Sequence, residues 1–244
     1  MFAFSWLRQL QRRWFGRRAI RRVPVCRVRL CLEALEDRLT PSTYTVTDAG
    51  DTAGSASDVT LRYAITQAVA NQDQNAVIGF SSTLAGQTIK LSLTDSNTSY
   101  GPTAFVVNNA KITIDGSNAP GLILNGNNAL RLFAVTNTAS LTMEDLTVEG
   151  GLAQGGTGGG GSEGAGAGGS GGGGAGLGGA VYDDGGAFTA EGVTFTNNKA
   201  LGGTGGSFHF ALNGDGGGGG GLGVNGNTPT GGGTGGDGGG YFNG

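Results

Sequence analysis

The sequence holds few of the residues that organise small secreted domains or metal sites. Two of its 244 residues are cysteine and one is histidine. Both cysteines, Cys26 and Cys31, stand in the first 40 positions, and two cysteines without histidine partners are too small a ligand set for a structural zinc site. No apolar run reaches the roughly 18 residues that a membrane-spanning helix requires. The rest of the chain therefore has to fold without disulfides, and the sequence predicts no transmembrane segment.

Basic side chains are also scarce beyond the amino terminus. Residues 1–40 contain ten arginines and three acidic residues, whereas the remainder contains five basic and fifteen acidic residues. Binding to nucleic acid depends on clustered lysine and arginine that neutralise phosphates. The acidic composition of the remainder therefore argues against nucleic acid as a partner.

Glycine is abundant and unevenly placed. Of 53 glycines, nine precede position 150 and 44 lie from Gly150 onward. The run has no Gly-X-Y period and little proline, which excludes a collagen helix. Because glycine loses more backbone entropy on folding than any other residue, we interpret residues 155–177 as a glycine-rich loop insertion. Residues 201–244 are expected to be poorly ordered and to hold a truncated repeat, since Gly238–Gly244 parallels Gly178–Asp184.

The first 42 residues form a separate, arginine-rich segment. Its apolar residues fall near one face of a helix: Trp6, Leu7, Leu10 and Trp14. This pattern fits either a surface-seeking or export leader, or an unfolded basic tail. The stretch Leu32–Ser42, LEALEDRLTPS, resembles the LE-x-LE-x-R motif near the amino terminus of many exported planctomycete proteins. The resemblance implies a protein that is secreted or sits at the cell surface or outer membrane, with residues 1–42 as a leader.

One later segment carries a helical period, and the others are short and β-rich. Apolar residues recur at helical spacing from Leu61 to Val69, with Asp58 or Thr60 available as a cap, which predicts one helix near 60–71. Residues 43–47 alternate as a strand does. Further strands are predicted in short runs bounded by Asn, Asp or Gly, at 77–80, 88–91, 105–107, 112–114, 122–124, 132–135, 141–143 and 146–148.

An internal repeat favours stacked coils over hairpins. Residues 140–153 and 187–200 match at an offset of 47, and the match continues into GGTGG at 155–159 and 202–206. A unit of this size cannot bury its own apolar face, so it needs neighbours stacked on it. We therefore predict an all-β fold, a right-handed parallel β-helix over residues 43–200, with the helix near 60–71 as an amino-terminal cap and with glycine-rich loops. Corner asparagines are expected to form ladders between coils; the candidates are Asn108, Asn125 and Asn197.

Two further motifs resemble those of known surface proteins. Leu61–Ile65 (LRYAI), followed by Val77–Phe80 (VIGF), resembles the SLREAI and I-x-F opening of parallel β-helix surface proteins. Gly178–Val181 (GGAV) and Phe195–Asn198 (FTNN) resemble the paired GGA-I and FxxN repeats of polymorphic outer-membrane proteins. The resemblance implies a pectin-lyase-like solenoid displayed at the cell surface.

Three functions are considered for such a chain. The preferred one is a non-catalytic structural or adhesive scaffold, with surface polysaccharide or other cell-envelope components as partners. The alternative is a polysaccharide-degrading lyase or glycosidase, since Asp183–Asp184 resembles the Asp-Asp element of polygalacturonases. The other motifs of those enzymes are absent, and a lyase would have to find its cationic base among five basic residues. We therefore interpret Asp183 and Asp184 as turn residues and assign no catalytic residue.

A calcium-binding glycine-rich repeat is the second alternative. Asp215 and Asp237 stand among glycines and faintly resemble the GGxGxD nonapeptide. Calcium takes about six to eight oxygens, and such arrays repeat the aspartate about every nine residues. These two aspartates are 22 positions apart. A plain glycine-rich loop is the preferred interpretation, and we predict no metal site, no cofactor-binding residue and no cofactor.

Overall fold

A computed structural model describes residues 41–163, 169–210 and 217–227. Residues 1–40 of the predicted leader and residues 228–244 of the predicted truncated repeat lie outside these residues. The described part is mostly strand, with one α-helix and two single 3-10 turns, at Ser82–Leu84 and Thr98–Tyr100. The predicted all-β class with parallel sheets is confirmed at this level.

Sixteen strands and one helix make up the described regular structure. The strands are β1 Thr43–Val46, β2 Ala76–Phe80, β3 Thr88–Lys90, β4 Thr103–Val107, β5 Lys111–Asp115, β6 Ile123–Asn125, β7 Arg131–Thr136, β8 Ser140–Glu144, β9 Thr147–Glu149, β10 Leu152–Gln154, β11 Gly161–Glu163, β12 Val181–Asp184, β13 Ala187–Glu191, β14 Thr194–Thr196, β15 Lys199–Leu201 and β16 Phe208–Phe210. The helix, α1, is Leu61–Ala70.

Three parallel sheets hold most of the strands. The first has the order β1-β2-β5-β8-β13, the second β3-β6-β9-β14 and the third β4-β7-β12. The chain visits the sheets in a repeating order, because β2, β3 and β4 enter the first, second and third sheet in turn and β5, β6 and β7 do so again. Two short parallel pairs, β10–β15 and β11–β16, stand beside them.

Apolar side chains of neighbouring strands stand in register and form the core. The buried columns are Ile78, Ile114 and Met143 in the first sheet, Ile89, Leu124 and Val148 in the second, and Phe105 and Phe133 in the third. The last two rings lie 5.4 Å apart between centroids. Parallel sheets are stable only when their apolar faces are covered, and here the three sheets cover one another's apolar side chains.

The helix begins and ends where its sequence signals place it. Thr60 is the N-cap, and its hydroxyl oxygen accepts a hydrogen bond from the backbone N–H of Tyr63 at 3.0 Å. The buried face consists of Leu61, Ala64, Ile65 and Ala68. It contacts β1, β2 and β4, which include the first strands of the first and third sheets. The prediction of one helix near 60–71 is confirmed.

The 47-residue repeat sets the pairing of strands, because residues 47 positions apart lie side by side. Ser140 pairs with Ala187, Thr147 with Thr194 and Leu152 with Lys199. The same offset joins Gly161 to Phe208 in β11 and β16. The predicted stacking of one copy on the other is therefore confirmed.

The glycine-rich segments bond to one another through their backbones. Gly156 and Gly159 donate to the carbonyls of Gly221 and Gly218, Gly171 and Gly174 donate to Gly159 and Gly156, and Gly203 and Gly206 donate to Gly174 and Gly171, all at 2.7–2.9 Å. Donors and acceptors both recur every three residues, which is the period of a polyproline II-type helix. We call residues 155–161, 169–176, 201–206 and 217–221 the glycine bundle. Composition alone predicts loops here and does not anticipate this assembly.

Candidate functional site

The acidic pair Asp183–Asp184 lies on β12, and the protein's own donors occupy both side chains. Successive side chains of a strand point to opposite faces, so the two carboxylates diverge. Asp183 Oδ1 accepts from the N–H of Gly186 at 2.7 Å. Asp184 Oδ2 accepts from the Tyr100 hydroxyl at 3.0 Å. Glycoside hydrolysis needs two carboxyl groups facing each other across a cleft, and this geometry does not provide that.

Two tyrosines gather around Asp184. The rings of Tyr100 and Tyr182 lie 6.0 Å apart between centroids and are tilted by 50°. Burial, the hydrogen bond to Asp184 and the charge of that carboxylate raise the pKa of Tyr100 to about 12. The cluster ties the turn at Thr98–Tyr100 to β12, which is a structural task.

A buried arginine donates hydrogen bonds to the backbone next to the tyrosine cluster. Arg131 is 2% exposed, and its guanidinium donates to the carbonyls of Leu177 and Gly178 at 2.7 and 2.9 Å. It also donates to the Tyr100 carbonyl and to the Thr103 hydroxyl. Sequence reasoning missed this residue. Its only signal is a single arginine at the start of the apolar run Leu132–Val135.

An acidic column runs across the first sheet. Asp115, Glu144 and Glu191 stand in register at the ends of β5, β8 and β13, and neighbouring parallel strands are about 4.8 Å apart. Burial, followed by the charges of Asp115, Glu191 and Asp145, raises the pKa of Glu144. The column presents like charges to solvent along the direction in which the strands stack.

An open groove lies at the corner between the first and second sheets. Its volume is about 410 Å³, and it is lined by Ser117, Pro120, Leu122, Asp145, Thr147 and Thr194, among others. These residues come from the equivalent corners that follow β5, β8 and β13. Hydroxyls and one carboxylate next to apolar atoms are groups that hydrogen-bond a hydroxyl-rich ligand while contacting its C–H faces.

A second cavity, of about 300 Å³, lies beside α1 and is lined in part by Arg62, Asp95, Phe105 and Asn108. Arg62 Nε lies 2.6 Å from Asp51 Oδ1, and its guanidinium carbon lies 4.6 Å above the Phe105 ring. Burial opposes ionisation of Asp51, but the bonds from Arg62 and from two backbone N–H groups outweigh it, so the pKa of Asp51 lies below its ordinary value. The charge of Arg62 is therefore already neutralised within the protein.

The predicted asparagine ladder takes a different form. Asn125 does bond to the next strand of its sheet, but its amide donates to Glu149 Oε1 at 2.7 Å instead of to another asparagine. Asn197 occupies a corner with a φ of 54°, a left-handed conformation that asparagine tolerates. Asn108 lines the cavity beside α1. The three residues thus have three different environments.

The predicted calcium ligands and the question of a membrane-spanning helix concern other parts of the chain. Asp215 and Asp237, the candidates for calcium, lie outside the described residues. Within the described ranges, no three His, Cys, Asp or Glu side chains gather as a metal site would require. Over the same ranges, no helix is long and apolar enough to cross a membrane.

Comparisons with known proteins return no relative. No family model matches the chain, no curated protein matches it, and no solved structure matches it. The resemblance to polymorphic outer-membrane protein repeats therefore stays a prediction.

Proposed function

We propose that residues 43–200 form a right-handed parallel β-helix that serves as a non-catalytic, exported or cell-surface scaffold. The order of strand entry supports the solenoid, since β2, β3, β4 and then β5, β6, β7 enter the same three sheets in the same sequence. In this proposal α1 is the amino-terminal cap, supported by its contacts with β1, β2 and β4. The glycine bundle is an excursion from the corner that follows β10 and β15.

We prefer a scaffold to an enzyme because Asp183 and Asp184 are hydrogen-bonded within the protein. Both carboxylates accept hydrogen bonds from the protein itself, from Gly186 and Tyr100. A catalytic carboxylate has to face substrate. Their roles in a turn and in a loop contact support a structural assignment.

The scaffold's proposed partner is a surface polysaccharide, bound in the corner groove. Ser117, Thr147 and Thr194 supply hydroxyls, and Asp145 supplies a strong acceptor. Such groups suit a neutral sugar chain laid along the stacking direction. The acidic column nearby disfavours a polyanion.

Binding tests this proposal most directly. The full chain is titrated with soluble neutral and acidic polysaccharides by isothermal calorimetry, with and without calcium. We expect a neutral polymer to bind, and the double substitution Thr147→Val with Thr194→Val to weaken that binding at least tenfold. The matched control is Thr113→Val with Thr142→Val, which removes two hydroxyls from the first sheet away from the groove.

Turnover is measured on the same polymers. Release of reducing or unsaturated ends that disappears in Asp183→Ala and Asp184→Ala variants would make the protein an enzyme and contradict the proposal. Binding that depends on calcium, together with a calcium-dependent rise in melting temperature, would favour the glycine-rich calcium alternative. Protease protection of the chain in intact cells that produce it would contradict surface display.

A further inference from the structure

The last strands of the stack expose positions that are buried one repeat earlier. Val148 in β9 is fully buried, whereas Phe195, its partner in β14, is 43% exposed. Met143 in β8 is also fully buried, and its partner Ala190 in β13 is exposed. The same residue columns therefore end in an apolar surface that no described strand covers, formed by β13, β14 and β15, which we call the open end.

The backbone of β13 also has pairing groups at the open end that no described strand uses. Ala187 N–H donates to Ala139 O, and Glu191 O accepts from Asp145 N–H, so these two residues face β8. Parallel pairing alternates the side to which successive residues direct their N–H and C=O groups. Phe188 and Ala190 therefore direct theirs away from β8. β13 is the last strand in the order of its sheet, and no described strand pairs with that edge.

The opposite side of the stack does not offer such a surface. α1 buries Leu61, Ala64, Ile65 and Ala68 against the strands there. Among the residues that the structure describes, a second copy of the chain consequently has no matching apolar edge to join head to tail. Two open ends can still meet each other, and identical surfaces that meet are related by a two-fold axis.

We propose that the open end is a homodimer interface in which β13 pairs antiparallel with β13 of a second copy, about a two-fold axis at Thr189. This register places Phe188 opposite Ala190 of the partner subunit, and those are the residues whose backbone groups no described strand uses. Each such pair exchanges two hydrogen bonds, so the junction gains four.

Charge and size both fit this register. Glu191 lies opposite Ala187 of the partner subunit, so the two glutamates do not face each other. The large Phe188 faces the small Ala190 of the partner subunit. Phe195 contacts Phe188, with 6.3 Å between the ring centroids, and therefore stands beside this junction. The inference rests on the edge of β13 and is independent of the polysaccharide proposal.

A symmetric disulfide tests the register. Residues on the axis form a pair without mutual hydrogen bonds, whose Cα atoms lie about 4.5 Å apart, which is within the range that a disulfide spans. The full chain is made with Cys26→Ser and Cys31→Ser, and then with Thr189→Cys or with the control Thr142→Cys. Thr142 is the partner of Thr189 one repeat earlier. Under mild oxidation we expect a covalent dimer from Thr189→Cys and none from Thr142→Cys.

Mass measurement by light scattering tests the interface without a new bond. We expect the unmodified chain to be dimeric at 100 µM (on the order of the concentrations at which modest interfaces form), and Ala190→Pro, which removes an outward N–H, to be monomeric. Ala190→Ser keeps that N–H and should remain dimeric. Circular dichroism of Ala190→Pro should match that of the unmodified chain, because no bond to β8 is lost. A monomeric unmodified chain, a dimeric Ala190→Pro, equal cross-linking of both cysteine variants, or growth into longer assemblies would each overturn the proposal.

Discussion

Side chains fill the space between the three sheets, whereas neighbouring backbone segments fill the space within the glycine bundle. In the sheets, fully buried residues such as Leu141 and Phe133 occupy the interior. In the bundle, a Cβ added at Gly156 would lie 1.8 Å from the Val224 carbonyl oxygen, and one at Gly159 would lie 2.0 Å from that of Asn227. The sheets depend on the hydrophobic effect, and the bundle depends on backbone hydrogen bonds that need close approach. One region should fail when volume is removed, and the other should fail when volume is added.

The largest effect is expected from removing volume in the sheets. Leu141→Ala should lower the free energy of unfolding by about 3 kcal/mol, because it deletes a fully buried side chain and leaves a cavity. The control is Leu93→Ala, at a position that is 46% exposed, which should cost less than about 1 kcal/mol. Urea unfolding followed by circular dichroism measures both. Equal losses would contradict a side-chain core.

Adding volume in the bundle should come next. Gly156→Ala should destabilise the protein by about 2 kcal/mol, since the new methyl group has no room. Gly172→Ala is the control, because a Cβ there meets nothing within 4 Å. It should be neutral or stabilising by up to about 1 kcal/mol through the unfolded state. Hydrogen exchange of the glycine amides separates loss of the bundle from loss of the sheets, and tolerance of both substitutions would show that the bundle is not tightly packed.

A smaller effect is expected where a loop contact joins the turn at Thr98–Tyr100 to β12. Tyr100→Phe removes the hydrogen bond to Asp184 and should cost about 1 kcal/mol at neutral pH, after allowance for solvent screening. The raised pKa of Tyr100, about 12, means that this stability is complete below pH 10 and is lost as pH rises toward 12. The difference in unfolding free energy between the two proteins should therefore shrink above pH 10. A difference that stays constant from pH 7 to 11.5 would count against the contact.

The smallest effect belongs to the acidic column. Glu144→Gln should stabilise the protein by about 0.3 kcal/mol at pH 7, because the ionised form is disfavoured by its burial and by Asp115, Glu191 and Asp145. A raised pKa penalises the folded state fully at pH values above the folded-state pKa, and the penalty is lost as pH falls through that pKa toward the unfolded value. The gap between the variant and the unmodified protein should close on acidification. Glu149→Gln, which weakens the bond from Asn125, should have the opposite sign at pH 7.

The parts of the fold that the sequence predicts are those with a local or a repeating signal. The helix at Leu61–Ala70 follows from a 3.6-residue period and from Thr60 as its cap. The pairing of β8 with β13 follows from the 47-residue repeat, because in-register stacking places like residues side by side. These features are readable because each needs only neighbouring residues or a copy of the same residues.

The bundle and the tyrosine cluster lack such signals. Glycine carries no side-chain pattern, so a tract such as 155–161 looks the same whether its N–H groups bond to water or to distant segments. Arg131 finds its acceptors in backbone carbonyls more than 40 positions away, at Leu177 and Gly178. Asp183 and Asp184 are neighbours in the sequence and so resemble a catalytic pair. On a strand, however, neighbouring side chains point to opposite faces.

The hydrogen bonds between the glycine tracts couple the permitted lengths of the two tracts. Tract 155–177 and the tract after β15 exchange hydrogen bonds, as between Gly203 and Gly174 and between Gly156 and Gly221. A change of one or two codons in either tract would move every later glycine out of phase with its three-residue partners, whereas a change of three codons would preserve the phase. We therefore expect natural length variants of these tracts to differ by multiples of three residues.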